Sequence, residues 1–245
     1  MIRCTVFLVL FLLGTLVCSA QLRVGVGKRV VSPDPLLPIS GGMGPAYPAR
    51  KKLGDLYARA MVIEQGDTRV AFVAVDFLGF PSVLCDKVRE AVPGIPASHI
   101  LIGASHTHSA PDCYGFPTGN GEAGCDLKYL ERVCKLTAEA LQEGLDSLAP
   151  ASIKIATGEA EGQIAFNYYA DELSDPRCSV IQAIGADDKV IGTLVNYAIH
   201  PEVLGPKAGA ISPDLIGPLW ERIEADTKGM ALFMNGALGG MVTAD

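Results

Sequence analysis

The chain has 245 residues, 49% of them hydrophobic and 19% charged, with a formal charge of −7. That length and apolar content can bury a sizeable core and fit one α/β domain better than several, which excludes disorder as the default state. The acidic balance leaves no basic face to neutralise phosphates, so nucleic acid is excluded as a main partner.

At the start of the chain, Arg3 supplies a basic residue, residues 6–17 an apolar run, and Cys18, Ser19 and Ala20 a small-residue cleavage site. This is the pattern of a secretory leader over residues 1–20, and the run is shorter than the roughly 20 residues of a bilayer span. Residues 21–245 are then expected as one domain, secreted or periplasmic. Five cysteines remain: Cys85, Cys113, Cys125, Cys134 and Cys178. In an oxidising compartment the close pair Cys113 and Cys125 can staple the loop between them, while the connectivity stays open. No CxxC spacing exists, which argues against a cysteine zinc site.

Short apolar runs rich in β-branched residues predict strands over residues 22–25, 56–64, 69–76, 99–103, 152–156, 179–184, 190–199 and 230–234. Amphipathic spacing predicts helices over 81–92, 129–148 and 215–227. The second carries Val133, Leu136, Ala140, Leu141, Leu145 and Leu148 on one face, which reads as core. Residues 32–52 and 115–124, rich in Pro and Gly or in Gly alone, read as loops. The alternation predicts an α/β fold, a layered mixed β-sheet domain with flanking helices.

Three of the four histidines lie just past two predicted strand ends: His106 and His108 after the fourth strand, His200 after the seventh. In an extended chain residues i and i+2 face one side, so His106 and His108 can project together. If the two strands are neighbours, all three imidazoles converge, and neutral imidazole suits zinc with an open position for water. His99, inside a strand start, is not expected to join them. Asp76 can orient a ligand histidine or cap the next element, and Asp214 reads as a cap before the third helix. Residues 233–245 read as a strand running into a glycine-rich turn, where the backbone can approach a substrate closely. Thr243 offers a hydroxyl that no local motif marks as a nucleophile.

Taken together, Gly25-Val26-Gly27, residues 41–44 (Gly-Gly-Met-Gly), Val73-Ala74-Val75-Asp76, residues 105–111 (Ser-His-Thr-His-Ser-Ala-Pro) and residues 196–201 (Asn-Tyr-Ala-Ile-His-Pro) occur in an order that resembles the catalytic domain of the neutral/alkaline, non-lysosomal ceramidase family. The resemblance implies an N-terminal catalytic domain over residues 21–245, hydrolysis of the amide in an N-acyl lipid, and a Zn2+ ion bound by His106 and His200. It places His108 beside the metal in contact with substrate, and Thr243 where the family has its proposed serine nucleophile. The chain departs from the family at Met241, in place of an aspartate, and at Tyr168, in place of an arginine. The family's remaining ligands, a glutamate and a tyrosine, lie in sequence beyond this length, so Asp76, Glu202, Asp214 or water are the local candidates to complete the site. A small-molecule or lipid substrate is the expected partner, with at most transient contact with a membrane surface, since no basic amphipathic helix is evident. A metal-dependent hydrolase of another ester, phosphoester or amide, and a non-catalytic secreted binding domain, stay open as alternatives, as does the oligomeric state.

Overall fold

The computed structural model describes residues 20–118, 121–162, 164–170, 173–239 and 242–244. Nearly all of the predicted leader lies outside these residues, as does Met241. Each of the eight predicted strands is present: β1 Leu22–Val30, β2 Tyr57–Gln65, β3 Thr68–Val75, β4 Ile100–Ala104, β5 Ala149–Glu159, β6 Arg177–Gly185, β7 Val190–Tyr197 and β8 Met230–Asn235. The helices are α1 Ser82–Glu90, α2 Leu127–Asp146 and α3 Ile216–Thr227.

The eight strands form one hydrogen-bonded sheet in the order β8-β7-β6-β5-β1-β2-β3-β4. It is mixed: β3 with β4 and β7 with β8 are parallel, and the other pairs are antiparallel. The ladder turns over at β5, which pairs with β1 only through Ala149 and Pro150 and then runs along β6 from Ala151 to Glu159. The two halves therefore lie face to face, as in a β-sandwich. Val24 and Met61 of the first half pack with Ala183, Leu194 and Leu232 of the second in one apolar cluster. Helices α1 and α2 cover the outer face of the first half with Leu84, Val88, Val133 and Leu141. Helix α3 covers the second half with Ile216 and Trp220. The result is four layers, helix, sheet, sheet, helix, which is the expected α/β layering with the sheet doubled.

Strand β1 is longer than its sequence pattern suggested because pairing with β2 along all nine residues carries it through Gly25, Gly27 and two charged residues. The glycines let α2 lie directly on it. A Cβ on Gly27 would stand 2.2 Å from the Ala140 carbonyl oxygen, and one on Gly25 would stand 2.1 Å from that of Gly144. Gly27→Ala is therefore expected to lower stability by about 1–3 kcal/mol through overpacking. Urea denaturation checks this, and a loss below about 0.5 kcal/mol would mean that the helix moves away freely.

Three expectations need correction. His99 sits in a short 3-10 turn, Ala97–His99, ahead of β4 instead of inside it. Helix α2 starts at Leu127 because the Asp126 carboxylate accepts the Tyr129 N–H at 2.9 Å and caps it. Cys113 and Cys125 are both free thiols, so no staple closes the loop between them. Cys113 points its sulfur at the Gly79 carbonyl oxygen, 2.9 Å away, and burial pushes its thiol up to about 12. Among the described residues no helix is long and apolar enough to cross a membrane.

Candidate metal centre

The three histidines come together, but by a different route from the one their spacing suggested. Strand β4 ends at Ala104, and the chain then bends across the end of β3. The Ser105 N–H donates to the Val75 carbonyl and the His106 N–H to that of Phe77, each at 2.9 Å. His106 takes a left-handed backbone, φ 70°, a conformation that costs a residue other than glycine roughly 1–3 kcal/mol. This bend, not strand alternation, turns the His106 and His108 rings toward each other with centroids 4.9 Å apart. His200 then stands 4.7 Å from His106 and 5.6 Å from His108, centroid to centroid.

Nor are the two bearing strands neighbours. β4 and β7 belong to opposite halves of the folded ladder, and the halves meet at the cluster. Asn235, at the end of β8, joins them. Its Nδ2 donates to the Ser105 carbonyl oxygen at 2.5 Å, and its Oδ1 accepts the Ile199 N–H at 3.2 Å, so one side chain holds the residues preceding His106 and His200. Sequence reasoning passed over Asn235 in its glycine-rich turn, and its only local signal is an Asn-Gly pair closing a strand. Asn235→Ala is expected to weaken metal binding about 10–100-fold, the usual cost of losing an outer positioning group. A chelator-competition titration measures this, and an unchanged affinity would remove Asn235 from the site.

Each ring is held by its Nδ1. His106 Nδ1 donates to the Leu78 carbonyl, His108 Nδ1 to that of Gly41 at 3.1 Å, and His200 Nδ1 to that of Val242 at 2.7 Å. A carbonyl oxygen only accepts, so every Nδ1 carries a proton, and in the neutral ring Nε2 is then the nitrogen with the lone pair. The His108 Nε2 is buried without a hydrogen-bond partner among the described residues. One nitrogen from each ring lies within 4.8 Å of the others. Burial holds His106 and His108 below the ordinary imidazole range, and the neighbouring rings push the same way; Glu202 opposes them. Three imidazoles, each held by Nδ1 on a backbone carbonyl and converging on one space with an orphaned acceptor, could hold a metal ion.

The acids separate clearly. Glu202 Oε2 lies 3.6 Å from His108 Nδ1, on the side of the ring away from its free nitrogen. Asp76 holds no histidine: it is 1% exposed, accepts the Tyr57 N–H at 2.6 Å, and is pushed up to about 7 by burial. Asp214 is not the expected cap of α3, whose N-cap is Leu215 with no side-chain cap bond. Its carboxylate accepts the N–H groups of Val203, Leu204 and Leu215, tying the segment after His200 to the start of α3. Thr243 lies in the short strand Val242–Ala244 and forms a backbone bridge with His200. His99 lies outside the cluster, its Nδ1 on the Arg69 carbonyl at 2.9 Å.

No family model and no curated protein sequence matches this chain. Its fold is that of solved ceramidase structures. A neutral ceramidase from Pseudomonas aeruginosa superposes with a TM-score of 0.79 at 20% identity, over 92% of this chain and 40% of that one. A ceramidase complexed with C2 superposes with a TM-score of 0.78 at 20% identity, over 91% and 39%. The chain thus spans about two-fifths of the length of either structure.

Proposed function

We propose that this chain carries the metal-binding core of a secreted, zinc-dependent hydrolase of amide bonds, ceramidase-like in acting on an N-acyl lipid. The observation that carries the reading is the set of three imidazoles from two sheet halves, each locked with Nδ1–H on a backbone carbonyl and Nε2 free. His106 and His200 are assigned as ligands, and His108, anchored in the same way, as a third ligand rather than a contact for substrate. Zinc held there would polarise an amide carbonyl and lower the pKa of a bound water. The fold shared with ceramidase structures and the ordered sequence segments support the amide as the bond attacked. Residues 1–20 are the proposed leader and residues 21–245 the catalytic portion.

The chain's own groups have separable roles. Gly41, Leu78 and Val242 orient the imidazoles through their carbonyls, and the side chains of Ser105, Thr107 and Ser109 that alternate with His106 and His108 are buried. Thr107 Oγ1 donates to the Ser212 carbonyl at 2.8 Å and pins that segment to the one leading into α3. Glu202, partly exposed beside His108, can receive a proton at Oε2. Thr243, bridged to His200, is the proposed contact for the reacting oxygen.

A substrate panel tests the reading: an N-acyl amine, the matching ester and a phosphoester of the same chain length, each with and without a chelator. Chelator-sensitive cleavage of the amide in preference to the others supports it. Cleavage of only the ester or phosphoester transfers the site to another hydrolase class, and metal binding without turnover leaves a binding domain.

A further inference from the structure

Neutral imidazole lends a metal ion a lone pair and no negative charge. A divalent ion among three such rings keeps its full charge, in a space where His106 and His108 are half-buried and His200 is 5% exposed. Charge in poorly hydrated surroundings is costly unless an opposite charge stands close by. A neighbouring carboxylate not already engaged by a lysine or arginine would supply it.

Glu202 meets that condition. Among the described residues it forms no ion pair with lysine or arginine, and its Oε2 lies 3.6 Å from His108 Nδ1. That gap is too long for a hydrogen bond, and the Nδ1 proton already goes to the Gly41 carbonyl at 3.1 Å, so the carboxylate offers the ring charge and not a bond. Its influence extends past one ring: burial holds both His106 and His108 down, and Glu202 works against burial at each. Asp214 does the same at His108, but three backbone N–H groups engage its oxygens. The backbone holds Glu202 in place. Pro201 takes the His108 N–H on its carbonyl at 3.1 Å, and the Glu202 N–H donates to the His200 carbonyl at 3.0 Å. The next two N–H groups, of Val203 and Leu204, donate to the Asp214 carboxylate at 3.1 and 2.9 Å. The span is thereby tied to both histidine segments and to the start of α3, and none of these bonds uses the Glu202 carboxylate.

We propose that Glu202 is the counter-charge of the metal centre, a carboxylate that ligates nothing and favours a divalent ion among the three imidazoles through its charge alone. The proposal rests on the metal-binding reading of the histidine cluster. An electrostatic contribution scales with the charge of the bound ion, whereas a packing contribution does not, and this separates the two.

Imidazole suits both zinc and copper, so Zn2+ and Cu+ serve as probes of different charge at one site. Their affinities for the full chain are measured by chelator competition, Cu+ under anaerobic conditions, in the parent and in Glu202→Gln, which removes the charge and keeps the shape. Zn2+ affinity is expected to fall about 10–100-fold in the variant. Cu+ affinity should fall by about the square root of that factor, roughly 3–10-fold, and retained Cu+ binding also reports that the variant is folded. Added salt should narrow the Zn2+ gap between parent and variant, because the Glu202 side chain is 26% exposed. Equal losses for the two ions would make Glu202 a ligand or a packing element. Equal losses, a Zn2+ gap that salt leaves unchanged, or a Zn2+ loss below about three-fold overturns the proposal. A parent that binds no Zn2+ would end the metal reading as well, whereas a Zn2+-binding parent matched by Glu202→Gln sinks only the counter-charge.

Discussion

His106→Ala and His200→Ala are each expected to strip the protein of stoichiometric zinc at neutral pH. Each removes one of three anchored imidazoles, so the loss should exceed the roughly 10–100-fold that removing an outer partner costs. A zinc level 1,000 times the dissociation constant stabilises the folded protein by about 4 kcal/mol, and that increment should vanish in both variants. Two readouts follow: zinc content by elemental analysis after dialysis, and the zinc-induced rise in Tm. His99→Ala is the control, because its ring lies on the Arg69 carbonyl outside the cluster, and it should retain both. Zinc content unaltered in both His106→Ala and His200→Ala would dismantle the metal assignment, since no other described group of His, Cys, Asp or Glu has the required geometry.

Asp76→Asn is expected to reverse a pH-dependent loss of stability. Burial raises the Asp76 carboxyl to about 7 from 3.8, with the Tyr57 N–H and Arg59 pulling the other way. A carboxyl raised on folding behaves oppositely to an ordinary ion-paired one. Below 3.8 it is protonated in both states and its contribution is fully present. As pH climbs from there toward 7 the unfolded chain ionises first, and the contribution is lost. A shift of roughly three pKa units sets an upper bound of about 4 kcal/mol on that loss. Asparagine cannot ionise and keeps an oxygen for the Tyr57 N–H. The stability difference between variant and parent should therefore grow in favour of the variant between pH 4 and pH 8. Urea denaturation at the two pH values measures it, and the comparison cancels the carboxylates of opposite sign, such as Glu64 beside Arg69 and Arg23. A difference that does not change with pH would show that Asp76 ionises freely in the folded protein.

Both predictions concern residues whose position in sequence pointed to the right end of the sheet and little more. Asp76 closes an apolar strand, and its role as a histidine partner and as a cap looked equally open. Only packing reveals that it faces Tyr57 and is sealed from water, where desolvation decides its charge. Arg59 carries the same lesson: in sequence it is one charge in a strand, while in the fold it lies 4.0 Å from the Trp220 ring and is 3% exposed.

What the amino-acid order determined by itself was the inventory of elements: eight strands, three helices, and three histidines placed beyond two strand ends. Those features repeat within a few residues, at periods of 2 or 3.6, and so can be seen in a short window. The tertiary structure decided the rest. Turning the ladder over at β5 brought two distant strand ends together, the Phe77 and Leu78 carbonyls held His106 in its left-handed bend, and Asn235 clamped the residues ahead of both histidine segments. These contacts link groups dozens of residues apart, and they form because hydrogen bonds and apolar surfaces must be satisfied across the whole fold at once, a condition with no signature in any local stretch of chain.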